Sequence, residues 1–428
     1  MLFAPYPLLL RSLDAHPQAK LVAHVLASAF DSVEPGAAVK KYLHDHPLRA
    51  GRKTFAFGLG KAACAMTQAL ADEMPLADAL VVTKYASNLS VAPVTVIEGN
   101  HPIPGEASLQ AGIAATKFLS QLTQDDLLVC LTSGGGSALM TAPRVPLEDL
   151  QLLTSTLMSS GARIDEINIL RRHLDQLKGG GVAGFTNGER VVTLLLSDVV
   201  GDHLEAIASG PTAPDPTTCA DVIAIIKKYE LKDKIPASII PALKETLKPD
   251  HPIFARVINT VIAGNAIALQ AAQVQAELQG FKAIITNTVL EGEARLIGCE
   301  TALQFKESLQ TSPRPFCLLA GGETTVTVHG VGRGGRNQEL ALAAVDVLAG
   351  LKDVMLVSIA TDGEDGPTDA AGAFVTGETA QRAESLGMFA ADYLLRNDAY
   401  SFFDQIDQLM KTGPSGTNVN DLVFCFAF

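Results

Sequence analysis

This chain is poor in basic residues. Only 33 lysines and arginines stand against 46 aspartates and glutamates, a net charge of −13 at pH 7, which argues against nucleic acid as a partner. Any anion it binds must be held by local positive charge against the global field. Long hydrophobic runs are missing too. No stretch approaches the length of a bilayer span, although 47% of residues are hydrophobic, so no membrane role is expected. Met1 to Leu10 is apolar but lacks a basic start and a small-residue cleavage site, and Arg11 and Asp14 interrupt it. A signal peptide is not expected. The six cysteines form no C-x-x-C pair and mostly sit in apolar runs, which reads as reduced core residues of a cytoplasmic protein. The nine histidines show no metal-ligand spacing, and neither a fixed-period repeat nor a low-complexity tract is present.

What remains is a globular composition on 428 residues, too long for one core, so two domains are expected. Short apolar strands, glycine-rich loops and helices alternate along the chain, which points to α/β architecture and a doubly wound parallel sheet. The first domain spans 1–240 and the second 253–428, with the polar, Pro-containing stretch from Lys227 to Pro252 as linker and hinge. Residues 6–46 read as two helices, and Ile164 to Leu177 as a helix stopped by Lys178-Gly-Gly-Gly181.

The most informative stretch is Asp126-Leu-Leu-Val-Cys-Leu-Thr-Ser-Gly-Gly-Gly-Ser137. A buried-strand run stops in Gly134, Gly135 and Gly136 between Ser133 and Ser137. Such a loop at a strand's carboxyl end is either a cradle whose N–H groups hold phosphate oxygens or a tight structural turn. It matches neither G-x-x-x-x-G-K-[ST] nor G-x-G-x-x-G. Lys61 follows Gly58 and Gly60 at a second strand-to-helix turn, where a lysine is unfavourable against the helix dipole unless an anion is present. The alternative is a solvated lysine. Arg336 follows Gly332, Gly334 and Gly335 at a helix start, suiting a bidentate grip on phosphate or a plain surface pair with Arg333. Asp198 and Asp362 end apolar strands, where a metal ligand or general base would stand, unless they are ordinary turn residues. Glu323 follows a glycine pair at another strand end. Asn265 reads first as an N-cap, and Arg171-Arg-His-Leu-Asp-Gln-Leu-Lys178 either as a basic helical face meeting an anion or, by default, as a solvated face.

Taken together, these stretches resemble the glycerate 2-kinases whose C-terminal part is called MOFRL. The resemblance rests on Gly58-Leu-Gly-Lys-Ala-Ala63, Ser133-Gly-Gly-Gly-Ser-Ala-Leu139, Arg171-Arg-His-Leu174 with Lys178-Gly-Gly180, Leu196-Ser-Asp-Val199 and Ser209-Gly-Pro-Thr212. It continues through Gly321-Gly-Glu-Thr324, Gly332-Arg-Gly-Gly-Arg-Asn-Gln-Glu339, Ala360-Thr-Asp-Gly-Glu-Asp-Gly366 and Thr412-Gly-Pro-Ser-Gly-Thr-Asn-Val-Asn-Asp421. Gly181 departs from it, since relatives often carry arginine there.

The resemblance implies a kinase that uses ATP and Mg²⁺ to phosphorylate the 2-hydroxyl of D-glycerate, giving 2-phosphoglycerate. It also implies two α/β domains, the N-terminal one Rossmann-like and doubly wound, with the MOFRL segment at about 314–422 and the active site in the interdomain cleft. Lys61 and Arg336 would be the catalytic pair, with Asp198 as third catalytic group. Ser133, Gly134, Gly135, Gly136, Ser137, Asn265 and Glu323 would bind the cofactor, and Asp198 and Asp362 the metal. Partners would be D-glycerate and ATP alone, with room for a homo-oligomer. The rival is a hydroxypyruvate or tartronate reductase using NAD(P)H, disfavoured because no dinucleotide fingerprint with an acidic residue about 20 positions on follows a strand. A non-enzymatic sugar-phosphate-binding protein is the remaining alternative.

Overall fold

A computed structural model describes residues 5–14, 16–49, 51–186 and 190–428. The chain forms two compact units. One is Pro35–Ile262; the other joins the described residues up to Glu34 to Ala263–Phe428.

The first unit is built on strands β1 (Thr54–Leu59), β2 (Asp78–Thr83), β3 (Thr95–Glu98), β4 (Leu127–Thr132), β5 (Arg190–Leu196) and β6 (Val257–Ala263), in the order β3-β2-β1-β4-β5-β6. The pairs from β3 through β5 are parallel. Every residue of β1 and β4 is buried, as expected of parallel strands covered on both faces. Because β1, β4 and β5 are neighbours, the loops after them emerge side by side at the sheet's carboxyl edge. That places Lys61, the glycine triplet and Asp198 together.

The second unit is also α/β, but its sheet is mixed. Its strands are β7 (Lys282–Glu293), β8 (Phe316–Thr325), β9 (Val354–Ala360), β10 (Gly372–Thr376), β11 (Leu409–Met410) and β12 (Asp421–Ala427), ordered β11-β10-β9-β12-β8-β7. Only β7 and β8 run parallel; the other pairs are antiparallel. β12 enters between β8 and β9 and opposes both, and β10 opposes both β9 and β11. β8 continues through Gly321 and Gly322, and Gly322 pairs with Leu290 and Asp421.

Two boundary expectations need correction. Residues up to Glu34 do not join the first unit: helix Ala19–Ser32 buries Val22, Val25, Leu26 and Phe30 and packs against helix Asn265–Leu278. The stretch from Lys227 to Pro252 is no linker either. Leu231, Ile235 and Ile239 share a buried cluster with Leu153, Leu170 and Ile226, and such a cluster holds a segment in place. The chain crosses between units at Glu34/Pro35 and Ile262/Ala263 instead. No described helix is long and apolar enough to cross a membrane.

Candidate active site

In the first unit the glycine triplet leaves β4 and opens the one-turn helix Gly136–Leu139. Gly135 lies at φ +86°, a left-handed conformation that costs other residues strain. Its Cα also faces the Lys61 stem: a Cβ there would stand 3.3 Å from Lys61 Cγ and 3.5 Å from His101 Cδ2. Gly134 is required for a different reason, since a Cβ would fall 1.8 Å from Asp198 Oδ2. The Asp198 carboxylate therefore rests directly on the loop backbone. Gly134→Ala should push Asp198 out of place and lower kcat at least about tenfold, from the loss of one positioned catalytic group. An alanine variant of unchanged kcat would show that the carboxylate can move without consequence.

The loop is pinned from two sides. Lys61 N–H donates to Gly134 O at 3.0 Å, and Ala62 N–H to Ser133 Oγ at 3.0 Å. Ser133 is 1% exposed, so its hydroxyl fastens the Lys61 turn. Ser137 Oγ lies 2.7 Å from Ser209 Oγ. Among the described residues, no protein acceptor takes the N–H groups of Gly134, Gly135 or Gly136. Orphaned amides in a buried loop are rare and point to an outside acceptor such as an oxyanion. Burial pushes the Asp198 carboxyl above the usual range, against the pull of Lys61. His101, which no sequence signal singled out, joins this group; burial first, then Lys61, Lys84 and Arg171, hold its pKa down.

The Arg171 helix corrects an expectation. It runs Ile164–Leu174, ending before Leu177, because the buried Asp175 carboxylate collects Thr141 Oγ1, Ala142 N–H, Leu177 N–H and Lys178 Nζ. Arg171, Arg172 and His173 are not a solvated face; they are 8%, 5% and 0% exposed. Arg172 Nε pairs with Asp215 at 3.0 Å, and His173 Nδ1 meets the Lys244 carbonyl at 2.8 Å. Among the described residues, one group of three potential metal ligands exists, His173, Cys219 and Glu245. It includes neither Asp198 nor Asp362, and its Nδ1 and carboxylate already serve Lys244 O and Lys248.

In the second unit, Arg336 opens helix Arg336–Leu348. It is not a free cation. Its Nε and Nη2 bind Asp421 at 2.6 and 3.0 Å, and Nη1 binds Glu323 at 2.8 Å. Burial lowers its pKa, but the Asp421 bond and the nearby carboxylates outweigh that and hold it above the ordinary value. Asp421, which begins β12, was missed as a site residue although its motif is visible in the sequence. Asn265 is not the N-cap, because Gly264, in extended backbone, takes that position. Asn265 instead donates from Nδ2 to the carbonyls of Val419 and Asp421 at 3.0 and 2.9 Å. Asp362 is half-buried and accepts from the Glu364 N–H at 3.1 Å.

Asp365, close to Asp362 in the sequence, caps the Arg336 helix: its Oδ1 and Oδ2 accept the N–H groups of Asn337 at 3.1 Å and Gln338 at 2.8 Å. Burial pushes its pKa from 3.8 up to about 7 despite those bonds. The folded state thus holds this proton where the unfolded chain has released it. Its contribution to stability is full below pH 3.8, falls as pH rises, and levels off above about 7. In urea titrations, wild-type stability relative to Asp365→Asn should decline from pH 5 to 7 and then flatten. A constant difference across that range would place the carboxyl at its ordinary pKa.

Two family models match the chain. Residues 21–244 match a domain of unknown function, DUF4147, and residues 316–421 match the MOFRL family. The chain is 42% identical over 386 residues to the glycerate 2-kinase of Pyrococcus horikoshii, covering 87% of this chain and 86% of that one. It is 38% identical over 419 residues to the D-glycerate 2-kinase of Thermotoga maritima, covering 96% and 98%. The crystal structure of glycerate kinase from Thermotoga maritima superposes with a TM-score of 0.89 at 38% identity, covering 96% of this chain and 99% of that one. The likeness runs along almost the full length, and the chain belongs to the glycerate kinase family that joins a DUF4147 region to a MOFRL region.

Proposed function

We propose that the protein is an ATP-dependent glycerate 2-kinase. The bond formed joins the 2-hydroxyl oxygen of D-glycerate to the γ-phosphorus of ATP, the γ–β bridging bond breaks, ADP leaves, and the hydroxyl proton passes to a carboxylate. The observation that carries this reading is the convergence of Lys61, three unsatisfied glycine amides and Asp198 at the carboxyl ends of β1, β4 and β5. Phosphoryl transfer depends mainly on positioning and charge neutralisation, and this group supplies both. The amides and Lys61 receive phosphate oxygens. Asp198, with a pKa raised by burial, is placed to accept the proton.

The chemistry calls for Mg²⁺, and the donors fit. Asp198, beside the glycine loop, offers hard carboxylate oxygens outside any preassembled group of three ligands among the described residues, as suits an ion held by one carboxylate together with substrate phosphates; Asp362 offers the same donor chemistry within the other unit. When bound, the ion would neutralise charge on those phosphates. The lack of any C-x-x-C pair and the placement of most cysteines in apolar runs support placing the reaction in the cytoplasm.

³¹P NMR after incubation with D-glycerate, ATP and Mg²⁺ tests the proposal, since it separates 2- from 3-phosphoglycerate. The expected result is 2-phosphoglycerate with equimolar ADP. Oxidation of NADH by hydroxypyruvate without ATP consumption would move the protein to the reductase reading.

A further inference from the structure

Three neighbouring basic residues on helix Ile164–Leu174 are buried, but only two of them are accounted for. Arg172 has Asp215 and the Glu205 carbonyl, and His173 has Lys244 O and Thr217 Oγ1. Arg171 has one weak bond, Nη1 to Asn168 Oδ1 at 3.3 Å, and its Nε is buried without a partner. Among the described residues no carboxylate pairs with it, and burial alone pushes its pKa, to about 10, leaving it charged at neutral pH. An uncompensated buried guanidinium is costly, and breaking up a buried pair by removing one partner is strongly destabilising. A cation that persists in this state is missing an anion.

Its position says which site the anion belongs to. The helix packs on Ile207–Ser209, the segment whose Ser209 meets Ser137 of the glycine loop. The charge of Arg171 acts on His101 together with Lys61, and the His101 ring stands over Gly135. The phosphate oxygens already have receivers there in Lys61 and the free amides. The second anion of the reaction is the acceptor's carboxylate, on the carbon next to the reacting hydroxyl. A planar two-donor fork matches a planar carboxylate.

We propose that Arg171 binds the carboxylate of the acceptor, so that this site selects 2-hydroxy acids over neutral polyols. The inference rests on the kinase reading above and names the acceptor contact within it. Steady-state kinetics of Arg171→Gln and Arg171→Lys, varying D-glycerate and ATP separately, test it. Loss of a charged hydrogen-bond pair corresponds to a KM rise for D-glycerate of about 10–100-fold in the Gln variant. The Lys variant should fall between, with the KM for ATP within about twofold of wild type. Melting temperature should hold or rise, because an uncompensated charge has gone; a purely structural arginine would lower it. An unchanged KM for D-glycerate in a folded variant, or a rise in the KM for ATP instead, overturns the proposal. Calorimetry with D-glycerate alone separates the two readings. Wild-type protein that binds glycerate through Arg171 but does not consume ATP loses the kinase reading only. Wild-type turnover with unaltered binding by Arg171→Gln loses this inference only.

Discussion

Lys61→Ala is expected to reduce kcat about 10³–10⁵-fold, equivalent to roughly 3–5 kcal/mol of transition-state stabilisation, with melting temperature essentially unchanged. The separation of the two effects follows from the geometry. The Lys61 side chain is exposed, lies along Gly135, and forms no ion pair among the described residues. What holds the turn is its main chain, through Lys61 N–H to Gly134 O, and alanine keeps that bond. Removing the ammonium therefore takes positive charge from the place where phosphate charge builds up and little else. Circular dichroism melts beside a coupled ADP assay would check both halves; a kcat within tenfold of wild type would remove Lys61 from the reaction.

Arg336→Ala should behave differently, losing stability as well as activity. At first sight the residue is a mobile cation on a glycine-rich approach, and its removal should leave the fold intact. The structure gives it a second task. Asp421 is 5% exposed and sits where β12 begins between β8 and β9, with Arg336 bound to both its oxygens. Truncating the arginine strands a buried carboxylate, which costs about 3 kcal/mol or more. The double variant Arg336→Ala/Asp421→Asn should regain much of that stability while staying inactive. If the single variant melts like wild type, Asp421 has another counter-charge. Glu323→Gln should be milder, because the Glu323 side chain is 43% exposed and water can replace the ion pair.

Much of the first unit is legible in the sequence. A buried parallel strand is a continuous apolar run with a sharp polar or glycine end, and β1, β4 and β5 each read that way, the first two ending in glycines and β5 in Ser197-Asp198; their loops carry Lys61, the triplet and Asp198. The second sheet is harder, because local pattern does not reveal which strands pair. Nothing in Asp421–Ala427 says that it will separate β8 from β9. For the same reason the Arg336–Asp421 pair, 85 residues apart in sequence, cannot be foreseen from either segment. Burial of Arg171, Arg172 and His173 contradicts their composition, since three basic residues in a row ordinarily face water. Only the tertiary partners Asp215, Thr217 and Lys244 turn two of them inward. Helix Ala19–Ser32 has a clear apolar stripe, but a stripe does not say which unit will cover it.

The separation of that helix from the rest of its unit bears on how the protein is made. Synthesis delivers Pro35–Ile262 as one uninterrupted segment, able to begin folding as it emerges. The other unit must keep helix Ala19–Ser32 waiting while all of that segment is translated, and its sheet remains two separate halves until β12 arrives to join them. During that interval β8 and β9 each expose an unpaired edge, the form in which strands are most prone to pair with the wrong chain.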